Sequence, residues 1–165
     1  MADRILAKLF EHNNWANARI IEACSALSDE QLDAQPQSAT KGSIRLTLRH
    51  LIDAQESYLS QLMGVEPRLN WQSPPTFGEL QQAANASGEG LLALARDEAS
   101  QSLKTAFQKD GYTIQPWVVM VQAIDHAAEH REQIKSMLTS LGVTPPRVDG
   151  WGYGRVTNGL TQIST

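Results

Sequence analysis

Two histidines one helical turn apart carry the first chemical signal. In Asp125-His-Ala-Ala-Glu-His-Arg-Glu-Gln133, His126 and His130 are four positions apart, which stacks them on one face of a helix. Val119, Ala123, Ile134, Met137 and Leu141 share that face, all within an arc of about 80°. Both imidazoles are therefore predicted to point into the protein. An unpartnered buried imidazole costs roughly 1–3 kcal/mol. A shared divalent cation removes that cost: neutral imidazole nitrogens bind Zn²⁺ at about 2.0–2.1 Å and also suit Ni²⁺, Cu²⁺ and Fe²⁺. The plainer alternative is a pair hydrogen-bonded to its neighbours.

A metal held this way needs a third donor, and two other histidines compete for the place. His50, in Arg49-His-Leu-Ile-Asp53, sits on the shoulder of its helical stripe, beside Leu46 and Ala54. His12 lies squarely on the apolar stripe of the first helix, where a helix–helix hydrogen bond would equally account for it. Periodicity leaves the choice open, and a four-histidine site is also conceivable.

Four long helical segments must position these side chains. The first is predicted from about Asp3 to Ala26, with Ile5, Leu9, His12, Ala16, Ile20, Ala23 and Leu27 as its stripe. Ser28 to Gln31 has capping-box spacing and starts a short turn of helix, and a polar stretch from Gln35 to Gly42 follows. Ser43 is the expected N-cap of the second helix, Ile44 to about Met63, closed by Gly64; its stripe is Ile44, Leu48, Leu51, Gln55, Tyr58 and Leu62. Val65 to Pro75 holds three prolines and reads as loop. Thr76 to Glu79 is another capping box, opening a third helix to about Ser100. Phe77, Leu80, Ala84, Leu91 and Leu94 form its inner side, and Gly88 and Gly90 weaken it by about 1 kcal/mol each relative to Ala. Between Leu103 and Gln115, Asp110-Gly111 is a turn dipeptide between short β-prone runs, which predicts a small hairpin. The fourth helix runs from Pro116 to Leu141, with Gly142 as its stop. Arg147 to Thr165 is expected to be an ordered tail laid against the bundle.

Composition narrows the partners. The 165 residues are 41% hydrophobic and 19% charged, an ordinary globular balance and the size of one domain, here residues 1–165. Net charge is −4, with Lys and Arg scattered, so the concentrated basic surface that nucleic acid requires is missing. Cys24 is the only cysteine and cannot form an internal disulfide, which fits a reducing cytoplasm. No stretch approaches the roughly 20 apolar residues of a membrane span, and the charged N-terminus does not read as a signal peptide. The expected location is the cytoplasm, with no membrane partner.

Taken together, these residues resemble the DinB family. The likeness rests on Asn14-Trp-Ala-Asn-Ala-Arg19, on Leu48-Arg-His-Leu51 and on His-x-x-x-His-Arg at 126–131 with the Gln-Ile that follows. Leu141-Gly-Val-Thr-Pro-Pro146 and Asp149-Gly-Trp151 add to it. It covers nearly the whole chain, and the departure is Glu132, where many members have glycine. The resemblance implies an all-α four-helix bundle in up-down-down-up order, frequently a homodimer, with metal ligands at His50, His126 and His130. It also implies transfer or isomerisation chemistry that uses a low-molecular-weight thiol, or in some members metal-dependent hydrolysis.

Three neutral ligands would leave one divalent ion, Zn²⁺ or Ni²⁺ first, with a position open to a small-molecule substrate. Such a centre lowers the pKa of a thiol or a water, so a thiol cosubstrate could serve as nucleophile without a protein cysteine; Cys24 then reads as packing. The expectation is a metal-dependent transferase activating a low-molecular-weight thiol for attack on an electrophile. A hydrolase activating water is one alternative. His-Ala-Ala-Glu-His has the letters of an inverted zinc-protease motif, but no glutamate follows Glu132 and Glu129 turns about 60–100° away from the histidines on a helix. A non-catalytic metal-binding bundle is the other, and would normally show four protein ligands. A di-iron bundle is disfavoured, because no histidine has a glutamate three residues before it.

Overall fold

The structure, a computed structural model, describes residues 5–36, 41–97 and 99–163. The expected helix start at Asp3 and part of the polar stretch before Gly42 lie outside the described residues.

Local signals set most element boundaries. Helix α1 spans Ile5–Cys24. Ser28 caps α2 (Asp29–Asp33) through a complete capping box with Gln31, as the spacing predicts. Ser43 caps α3 (Ile44–Met63), which ends on Gly64 at φ 67°, a left-handed backbone that glycine adopts without strain. Thr76 and Glu79 form the second capping box, at the head of α4 (Phe77–Arg96). That helix stops earlier than Ser100, and a 3₁₀ turn, Gln101–Leu103, follows. Strands β1 (Phe107–Lys109) and β2 (Tyr112–Ile114) pair antiparallel. Asp110 and Gly111 both take positive φ, 50° and 82°, as a two-residue type I′ hairpin requires. Helix α5 runs Pro116–Ser140 with the proline in its first turn. The expected tail contains one more helix, α6 (Gly150–Val156), capped by Asp149; glycine at every second position hid it from periodicity.

The four long helices are neighbours in pairs: α1 lies against α4 and α5, and α3 lies against the same two. Their apolar interior falls into two clusters. One gathers Ile20, Ile21, Leu48, Leu51, Ile134 and Leu138; the other gathers Phe10, Leu59, Leu91, Val119 and Met120. Where one gives way to the other along each of the four helices lie buried polar residues: Asn13 with its next-turn neighbour Asn17, Gln55, Ser87 and Arg131.

These residues bond to one another. Arg131 Nη1 donates to Asn13 Oδ1 at 2.6 Å and Asn17 Oδ1 at 2.7 Å. Asn17 Nδ2 donates to Gln55 Oε1 at 2.8 Å. Gln55 Nε2 donates in turn to the Ala84 carbonyl and to Ser87 Oγ. Burial pulls the Arg131 guanidinium down to about 10, so it remains a cation at neutral pH.

This layer corrects the expected stripe of α1. Ile5 is 76% and Leu9 44% exposed, while Asn13 and Asn17 are buried. The helix turns its asparagines inward because Arg131 needs their carbonyls more than the core needs two further aliphatics. Gly88 and Gly90 also gain a role that propensity did not show. A Cβ on Gly88 would come within 2.5 Å of Asn14 Oδ1, and one on Gly90 within 2.5 Å of Leu59 Cδ2, so both glycines admit close neighbours.

Candidate metal centre

His50 comes from the middle of α3, and His126 and His130 from successive turns of α5. The α3–α5 contact brings all three together. His126 Nε2 lies 3.1 Å from His50 Nε2 and 3.1 Å from His130 Nε2. The rings stand at 4.3–5.0 Å between centroids, the His50–His130 and His126–His130 pairs edge to face. Among the described residues this is the group of histidine, cysteine and carboxylate side chains that could hold a metal ion, with its ligand atoms within 4.8 Å of one another.

The donor set fits a divalent cation. Ligands at about 2.0–2.1 Å from a common centre are themselves separated by roughly 2.9–3.4 Å for angles between square and tetrahedral, and the two closest pairs here meet that spacing. A neutral imidazole nitrogen either donates one proton or accepts on one lone pair. His126 Nε2 cannot satisfy two neighbours at 3.1 Å in that way, whereas a cation accepts all three lone pairs.

Electrostatics keep the donors available. Burial, then the neighbouring His130 and His50, then Lys41, push the His126 imidazole down to about 4. The His50 imidazole is lowered by burial, His130 and Lys41, against an opposing effect of Asp53. His126 is thus neutral at pH 7, the form that binds metals.

His130 is the most enclosed of the three, at 3% exposure. Its Nδ1 pairs with Gln133 Oε1 at 2.7 Å, which assigns the proton to Nδ1 and aims the Nε2 lone pair into the cluster. Gln133 is held from behind by Glu129, at 3.4 Å. Gln133 could have been read as a support from its i+3 spacing to His130.

The other sequence candidates fall elsewhere. His12 Nε2 bonds the Val148 carbonyl at 2.8 Å, and its ring packs against Trp15 and Tyr153. It therefore fastens the C-terminal segment to α1 and is not a member of the cluster. Glu129 is exposed and faces Gln133. Cys24 is fully buried in the first apolar cluster, and burial pushes its thiol up to about 12, the behaviour of a packing residue.

No helix of the described residues is long and apolar enough to cross a membrane. Comparison with curated proteins finds no match. Comparison with protein families matches residues 1–162, a span that includes all three clustered histidines and nearly the whole chain. The chain belongs to the DinB family.

Proposed function

We propose that this protein binds one divalent metal ion through His50, His126 and His130 and activates a low-molecular-weight thiol for transfer to an electrophile. The observation that carries the reading is the convergence of three imidazole Nε2 atoms at the α3–α5 contact. Zn²⁺ or Ni²⁺ bound there supplies Lewis acidity that brings the pKa of a thiol or a water toward neutrality.

The protein's own side chains set the rest. His130, fixed by Gln133, forms the closed side of the site. His50 and His126 are only partly buried, which leaves the side toward solvent for a small ligand. The chain's one cysteine, Cys24, is sealed in the core and offers the site no thiol. The sulfur must therefore arrive with the substrate.

Two features favour a thiol over water. No carboxylate joins the three histidines as a ligand among the described residues, and Glu129 is turned to Gln133, so Glu129 does not stand as the base for a bound water. Three protein ligands rather than four also argue against a purely structural ion.

The reading extends to the whole molecule. An up-down-down-up bundle is supported by the order of contacts: Glu11 and Asn14 meet Arg96 and Gly88 in reverse order, Gln55 and Leu59 meet Ala84 and Gly90 in the same order, and His50 and Tyr58 meet His130 and His126 in reverse order. The protein works in the cytoplasm on small molecules, as a homodimer. Dimerisation is supported by an apolar groove of about 310 Å³ between α1 and α5, where Leu9, Trp117 and Val121 are exposed.

The test is Co²⁺ substitution. About one ion per chain should bind, and a suitable thiol should add a sulfur-to-metal charge-transfer band that an alcohol of the same shape does not, because thiolate is the softer ligand. A folded protein with no affinity for Zn²⁺, Ni²⁺ or Co²⁺ defeats the metal reading. Turnover of esters or amides with no thiol-dependent band moves the assignment to a hydrolase.

A further inference from the structure

The three histidines are not held alike. His130 is anchored by a hydrogen bond on the nitrogen that faces away from the cluster. His126 is the hub, since both 3.1 Å contacts meet at its Nε2. Yet among the described residues its hydrogen-bond contacts are these two alone, and its Nδ1 has no partner. Something else must fix the plane of this ring.

Tyr58 does so by packing. Its ring meets the His126 imidazole at 5.7 Å between centroids and 85° between planes, the edge-to-face geometry that aromatic pairs prefer. Tyr58 is itself constrained. It follows His50 by two turns on α3, is partly buried, and packs against the second apolar cluster. Its hydroxyl lies beside the Gln122 side chain, one turn before His126 on α5. The Tyr58 ring thus stands as a wall on one side of the His126 imidazole.

We propose that Tyr58 is a positioning residue for His126, holding by aromatic contact the central ligand of the cluster, which no hydrogen bond from outside the cluster fixes. The inference rests on the three-histidine metal reading and goes beyond it, because it assigns metal affinity to a side chain that never touches the ion. Supports of a metal ligand typically carry 10–100-fold in affinity.

The test measures Zn²⁺ affinity by competition with a chromophoric chelator, together with the Co²⁺ ligand-field spectrum. Wild type, Tyr58→Phe, Tyr58→Leu and Tyr58→Met are compared, with urea unfolding as the control for fold. Tyr58→Phe keeps the ring and should bind within about 3-fold of wild type. Tyr58→Leu and Tyr58→Met should each lose about 10-fold or more and shift the Co²⁺ bands, while still unfolding cooperatively. The methionine variant, unbranched and adaptable, serves if the leucine variant does not fold. Leucine or methionine variants that bind as tightly as wild type overturn the proposal. So does a phenylalanine variant as weak as they are, since the hydroxyl and not the ring would then be responsible. A wild-type protein that binds no Zn²⁺ instead defeats the metal reading from which this one starts.

Discussion

Arg131 and Asn17 are 114 positions apart in the chain and 2.7 Å apart in the fold. Among the described residues the guanidinium has no carboxylate as a hydrogen-bond partner; it is solvated by two asparagine side chains of α1 and, through Asn17, by Gln55 of α3. A buried cation held by neutral carbonyls is costly to strand, because the amides replace water and nothing replaces the amides.

Asn17→Ala removes one of the two acceptors of Arg131 and the donor to Gln55 together. Urea unfolding should show a loss of about 2–4 kcal/mol, typical of breaking a buried charged network. A loss below about 0.5 kcal/mol would mean that water fills the place of the amide and the layer is not structurally important.

Gly88→Ala sets helix propensity against packing. Propensity alone predicts a gain of about 1 kcal/mol. The new methyl would lie 2.5 Å from Asn14 Oδ1, and overpacking of this kind costs about 1–3 kcal/mol. Thermal unfolding should show net destabilisation; a raised midpoint would show that α1 and α4 are free to separate there.

Metal-free protein should weaken in mild acid. The His126 imidazole is pushed from 6.5 to about 4 in the fold, so between those values the unfolded chain takes up a proton that the folded chain refuses. Stability is then complete above pH 6.5 and is lost progressively as the pH falls toward 4. Urea midpoints measured across that window should decline in wild type and flatten in His126→Ala. Parallel curves for the two proteins would refute the assignment to His126.

Cys24 should be inert in the native state. With the side chain fully enclosed and the thiol pushed up to about 12, a thiol-modifying reagent at pH 8 should label it only after denaturant is added. Cys24→Ala should leave Zn²⁺ stoichiometry unchanged. Rapid native labelling would reopen the question of a protein nucleophile.

Much of this molecule is legible in its sequence where the signal is local. Ser28 with Gln31, Thr76 with Glu79 and Asp110 with Gly111 each fix a boundary through bonds or dihedrals that neighbours alone determine. His126 and His130 were legible for the same reason, as partners on one face of one helix. His50 was not: its shoulder position on α3 is visible, but that α5 packs against this shoulder is a tertiary fact, and only family likeness favoured it over His12. The stripe of α1 misled because periodicity rewards Ile5 and Leu9, whereas the buried side is chosen by Asn13 and Asn17 answering a cation 114 or more positions away. Tyr58 read as an ordinary stripe residue, since nothing in α3 alone shows that the His126 ring stands against it.

Arg131 follows His130 directly on α5, one reaching toward the asparagines of α1 and the other toward His50 of α3. Sliding α5 by one turn, about 5.4 Å, would pull the histidines out of step with α3. It would also drag the guanidinium off its amides and into the neighbouring aliphatic residues. The second penalty guards against the first error. A polar lock on one face of the helix thus keeps the adjacent face aligned, and the three imidazoles are assembled by the fold itself. Binding energy need not be spent on assembling them, so capture of a metal should be quick and should leave the backbone where it was.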